Sequence, residues 1–189
     1  PAGVEKEGTH FDLSIALSYL SASGDLEFDP EGKIFLGELA LDGKISPVRG
    51  VLPIAKFAKE NNIKELYVPE KNVSEAALID GIKVFGVSTL KSLIEHLSGE
   101  RKLKPAPVTK LSDEVVVTLT DFSDVRSQER AKRGLLIAAA GGHNVAMYGP
   151  PGTGKTMLAK AFAGILPKLT FEEALEATGI HSVAGTLTE

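Results

Sequence analysis

Eight residues near the end of the chain, Gly149-Pro150-Pro151-Gly152-Thr153-Gly154-Lys155-Thr156, have the spacing of a phosphate-gripping loop: a glycine, four intervening residues, then Gly-Lys-Thr. The residue types state the chemistry. Glycines let the backbone wrap closely around phosphate oxygens. Amide groups from Gly152 to Thr156 can point inward, and a helix beginning there adds the positive end of its dipole. Lys155 brings a full charge for β- and γ-phosphates, and the Thr156 hydroxyl is a ligand for Mg2+. Pro150 and Pro151 have no amide donor and stiffen the loop. ATP and Mg2+ are therefore the expected cofactors. Lys155 and Thr156 are the expected catalytic residues, with Thr156 also the metal ligand. The nucleotide-binding set runs Gly149, Pro150, Pro151, Gly152, Thr153, Gly154, Lys155, Thr156 and Met157.

Such a loop is expected between a strand and a helix. The apolar run Asn144-Val145-Ala146-Met147-Tyr148 predicts a buried strand, and residues 155–165 predict the helix. Upstream, Ser123 or Asp124 is placed to cap a helix with Ala131, Leu135, Ala138 and Ala139 on one face, and Gly141-Gly142 stops it. Residues 114–119 read as a strand or extended entry segment. Thr170-Phe171-Glu172-Glu173 reads as a capping box.

The first half of the chain shows mixed strand and helix signals. Thr9-His10-Phe11-Asp12 reads as a capping box before a helix with Leu13, Ala16, Leu17 and Leu20 on one face, ended by Gly24. Residues 33–48 predict two strands joined at Asp42-Gly43. Ile54, Phe57 and Ala58 mark a short helix stopped near Asn61-Asn62. Residues 65–69 and 82–87 read as strands, and Ser88 as the cap of a helix carrying Leu90, Leu93, Ile94 and Leu97. Ser98–Asp113, with two prolines and several charges, reads as a linker. The fold class is α/β, divided into a domain over 1–98, a linker over 99–113 and a second domain over 114–189.

Composition excludes several functions. There is no cysteine among the 189 residues, which rules out disulfides, thiolate zinc sites and cysteine nucleophiles. The longest apolar run, Leu135–Ala140, is far short of the roughly 18 residues a bilayer span requires, so no membrane partner is expected. Net charge is −4, divided unevenly: residues 1–98 carry ten basic and fifteen acidic side chains. His10, His96, His143 and His181 lie far apart and offer no metal-ligand spacing. Arg126, Arg130 and Arg133 are placed on one helix face beside Lys132. DNA phosphate, a neighbouring subunit and plain solvation are the alternatives for that face, and solvation is the simplest.

The form Gly-Pro-Pro-Gly-Thr-Gly-Lys-Thr is common in AAA+ ATPases. Residues 122–185, with "AAAGGHN" before the loop and "GILP", "EEALE" and "IHSVAG" after it, resemble the magnesium-chelatase-like AAA+ proteins of the YifB/ComM family. The first half resembles the same family's Lon-protease-like domain of ribosomal S5 domain 2 type, through "PAGVEKEGTHFDLSIAL", "GELALDGKISPVRGVLPIAKFAKENNIKELYVPEKN" and "GVSTLKSLIEHL". The resemblance implies a partial Lon-like domain followed by the start of a P-loop AAA+ domain, both truncated, with the acidic Walker B strand, sensors and arginine finger beyond Glu189. It places residues 121–128 beside the adenine. It also implies a cytoplasmic, ring-forming homohexamer that hydrolyses ATP and drives branch migration of DNA. The alternative clients are a remodelled protein and, as in magnesium chelatase, a porphyrin.

Proteolysis is not expected of the Lon-like region. His10 stands where the family's serine nucleophile would be, and Leu52 where its lysine base would be. Imidazole here does not replace a hydroxyl as acyl carrier, and leucine takes no proton. A dyad shifted to Ser14, Ser18 or Ser21 with Lys56 is the remaining alternative, against a scaffold domain.

Overall fold

Three short parallel strands organise the first part of the chain. The computed structural model describes residues 9–110 and 120–187. These fall into two compact units, 9–110 with 172–187, and 120–171. The expected strand over 114–119 lies outside the described residues.

In the first unit β1 (Lys33–Phe35), β4 (Glu65–Pro69) and β5 (Lys83–Val87) pair in the order β1-β4-β5, all parallel. Central β4 is buried from Leu66 through Pro69, as a parallel strand covered on both faces must be. Alternation sends Leu66, Val68 and Val84 to one face and Phe35, Tyr67, Phe85 and Val87 to the other. Helices α2 (Val51–Glu60) and α3 (Val73–Ala76) cover the first face. Helices α1 (Asp12–Ser23) and α4 (Leu90–Leu97) cover the second, with Leu13, Leu17 and Leu93 fully buried. Each such leucine contributes about 1.5–3 kcal/mol by leaving water. Strand register places Phe35 beside Tyr67 and Tyr67 beside Phe85, and the three rings stack with centroids 4.8 and 4.9 Å apart.

Residues 33–48 form three strands rather than two. β1 belongs to the parallel sheet, and a separate hairpin joins β2 (Glu38–Leu39) to β3 (Ile45–Ser46). Its turn is the expected one. The Gly43 N–H donates to the Ala40 carbonyl at 2.9 Å, and Gly43 takes φ 81°, a conformation that glycine adopts without cost.

Helix starts differ from expectation in three places. α1 begins at Asp12 after a 3-10 turn over Thr9–Phe11, and its N-cap, Phe11, has no side-chain cap. α4 is capped by Thr89, whose hydroxyl accepts from the Ser92 N–H at 3.1 Å. Ser88 instead lends its carbonyl to the Ile45 N–H. α5 (Glu129–Gly141) begins five residues beyond Asp124, after Gln128. Ser123 and Asp124 are used in a turn, where Asp124 accepts from the Asp121 N–H at 2.8 Å and Asp121 accepts from the Ser123 N–H at 2.7 Å.

α2 is capped from another element. Its N-cap, Gly50, offers no side chain, and the Glu75 carboxylate accepts the Leu52 N–H at 2.9 Å, a favourable place for negative charge. Asn72, buried beside it, accepts from the Val48 N–H and donates to the Val48 carbonyl, at 3.0 and 2.8 Å. The same Glu75 carboxylate accepts from Ser182 on α7 (Phe171–Ala184), and Leu175 packs on the adjoining core.

The expected linker is docked over its described part. Leu103, Ala106 and Thr109, every third residue, are half-buried, the period of polyproline II. The Ala106 N–H donates to the Val84 carbonyl and the Thr109 N–H to the Ala77 carbonyl, both at 2.8 Å. The Leu103 N–H donates to His96 Nδ1 at 3.0 Å.

In the second unit α5 packs on α6 (Lys155–Ile165) through Leu135, Leu158 and Ala161, and Val125 from the segment before α5 joins the cluster. The expected strand over 144–148 does not form: these residues are exposed, with Tyr148 fully so. A strand needs a neighbour for its amides and carbonyls, and the described residues of this unit supply none. Among the described residues no helix is long and apolar enough to cross a membrane.

Candidate functional site

The loop lies directly before α6, with Gly154 at the helix N-cap. Gly152 and Gly154 take φ values of 81° and 80°, which favour glycine strongly. A Cβ built on either meets no atom within 4 Å, so the requirement is conformational, and the glycines leave room for a ligand to approach the backbone. Lys155 turns back into the loop. Its ammonium donates to the Gly149 and Pro150 carbonyls at 2.8 and 2.7 Å and stands 3.4 Å from the Thr153 hydroxyl. Thr153 in turn donates to the Pro150 carbonyl at 3.0 Å. Thr156 and Met157, in the first turn of α6, are exposed.

The expected set Gly149–Met157 is thus a loop that runs into the first turn of α6. It combines a cationic ammonium, open glycine backbone and a helix start, features that fit a nucleotide polyphosphate. A hydroxyl at Thr156 fits Mg2+ beside it.

Sequence reasoning missed one contact. Gln128, immediately before α5, donates its side-chain amide to the Thr153 carbonyl at 3.3 Å. Ser127 and Gln128 both have left-handed backbones, φ 60° and 66°. The family resemblance places both within the 121–128 stretch expected beside the adenine, but neither it nor the polar pattern specifies Thr153 as a partner. Nearby, hydrogen bonds from Ser123 hold the Asp121 carboxyl below its usual range. Arg126 lies in this loop, outside α5, so it does not share the helix face with Arg130 and Arg133. All three are exposed.

The protease positions are incompatible with a dyad. Leu52 is buried in the core, and His10 lies in a 3-10 turn with its carbonyl accepting from Gly37. Of the nearby serines, Ser14 donates to the Phe35 carbonyl at 2.6 Å and Ser18 to the Ser14 carbonyl at 2.8 Å.

Two stretches of the chain match family models of known proteins. A family model described as magnesium chelatase, subunit ChlI, matches residues 121–189, and one described as subunit ChlI of Mg-chelatase matches 1–72. The class is therefore magnesium-chelatase-like. Competence protein ComM of Haemophilus influenzae is 40% identical over 189 residues, covering 97% of this chain and 36% of the relative. YifB of Escherichia coli is 41% identical over 185 residues, with the same two coverages. The chain belongs to the YifB/ComM family of magnesium-chelatase-like proteins. It spans little more than a third of the length of these relatives. A more distant likeness, 29% over 99 residues and 51% of this chain, reaches 18% of Lon protease 2 of Bacillus subtilis.

Proposed function

We propose that this chain is part of an ATP-binding AAA+ ATPase that works as a motor on branched DNA, with its Lon-like region serving as a scaffold. The observation that carries the nucleotide reading is the Lys155 ammonium held inside a loop with open glycine backbone at the start of α6. On this reading Lys155 exchanges its loop carbonyls for the β- and γ-phosphates and steadies their charge. The N–H groups at the start of α6 receive phosphate oxygens, and the Thr156 hydroxyl holds Mg2+. The remaining catalytic groups, an acidic pair and an arginine from an adjacent subunit of a homohexameric ring, belong to the complete protein.

The Lon-like likeness of the first half, and the match of nearly the whole chain to ComM and YifB, support the YifB/ComM arrangement over a chelatase motor subunit. The buried Leu52 and the bonded serines support a scaffold over a protease. The test is ATP hydrolysis by the complete protein with and without branched DNA, beside Lys155→Ala. DNA-stimulated turnover that disappears in the variant is expected. Turnover indifferent to DNA overturns the DNA client and directs attention to a protein or porphyrin client.

A further inference from the structure

The loop is gripped from outside as well as from within. Gln128 lies 25 residues upstream of Thr153, yet its side-chain amide reaches the Thr153 carbonyl. It does so from an unusual backbone: Ser127 and Gln128 are consecutive residues with side chains in the left-handed region, which L-residues avoid because Cβ crowds the following carbonyl. Such outliers persist where the surroundings hold them, and they cluster where geometry serves binding. Here the left-handed pair ends the segment before α5, places Gln128 at its N-cap and leaves the Gln128 side chain off the helix, since it makes no cap bond.

The bond to Thr153 constrains one peptide plane. The Thr153–Gly154 peptide is trans, so its N–H points opposite to its carbonyl. A carbonyl turned to Gln128 commits the Gly154 N–H to the other side. Gly154, at φ 80° and with no side chain, gives that plane no side-chain anchor of its own.

We propose that Gln128 is a positioning residue for the phosphate loop: by holding the Thr153 carbonyl outward, it keeps the Gly154 N–H aimed at the bound polyphosphate. The role rests on the nucleotide reading above. It acts on phosphate and is indifferent to the base.

The experiment is equilibrium binding of Mg-ATP, Mg-GTP and AMP to the complete protein and to Gln128→Met, which keeps length and shape while removing the donor without adding charge. Lys155→Ala is measured in parallel. Losing one oriented hydrogen-bond donor should weaken Mg-ATP by about threefold to tenfold. Mg-GTP should weaken by the same factor and AMP should be unchanged, because its single phosphate does not reach the loop's interior. The melting temperature of the nucleotide-free protein should not move. A changed ratio of ATP to GTP affinity would make Gln128 a base contact and overturn the proposal. Unchanged Mg-ATP affinity overturns it as well, and so does a lowered melting temperature with equal losses for all three ligands, the mark of a purely structural residue. If Lys155→Ala binds Mg-ATP like the unaltered protein, the nucleotide reading itself fails. If Lys155→Ala loses binding and Gln128→Met keeps it, only the role of Gln128 fails.

Discussion

Tyr67 shows how a single side chain serves both packing and polar closure in the first unit. Its ring is the middle of the Phe35–Tyr67–Phe85 stack. Its hydroxyl donates to Glu65 at 3.0 Å and lies 3.2 Å from His96 Nε2. His96 Nδ1 accepts from the Leu103 N–H, so the neutral imidazole carries its proton on Nε2 and donates to the Tyr67 oxygen. Burial pushes the Tyr67 phenol well above its ordinary range, and the bond to Glu65 adds to the shift. The folded protein therefore keeps a proton that the unfolded chain loses. Stability from this group is complete below the ordinary tyrosine value of about 10 and is lost as pH rises above it. Chemical denaturation of the complete protein at about pH 8 and about pH 11 should show a larger alkaline loss than in Tyr67→Phe. Equal losses would contradict this environment. No sequence pattern announces this cluster: Glu65 and Tyr67 are two apart on one strand, but His96 and Leu103 arrive from elements whose packing is not written locally. Asn72 is similar, since its partner Val48 lies 24 residues away. The loop residues were legible because their chemistry depends on contiguous residues.

At the scale of elements, the readable signals were those with a local cause. Apolar spacing located α1, α2, α4, α5 and α6, and the Asp-Gly turn located the hairpin. Caps were less readable, because Ser88 and Thr89 carry the same chemistry and only backbone direction chooses between them. Thr89 takes the extended conformation of an N-cap, with ψ 150°. Replacing it with alanine should cost about 1 kcal/mol in denaturant unfolding, while Ser88→Ala should change stability by less than about 0.5 kcal/mol. The reverse order would return the cap to Ser88. The segment over 99–110 reads as a linker from its prolines and charges, yet its half-buried residues recur at a period that neither helix nor strand templates detect. For residues 144–148 the pattern is that of a strand, but a ladder partner is a nonlocal condition that composition does not reveal.

The whole molecule combines a unit built on a three-stranded parallel sheet with a second unit that presents the phosphate loop. Family membership and the residue types of the loop both support the nucleotide reading proposed above, and the buried Leu52 sets the first unit apart from its protease likeness. The central claim is that residues 149–156 hold a nucleotide polyphosphate, and equilibrium binding of Mg-ATP to the complete protein and its Lys155→Ala variant tests it most directly. Removing a charged donor to phosphate should weaken binding by about tenfold to a hundredfold. Equal affinity in the two proteins would contradict the claim.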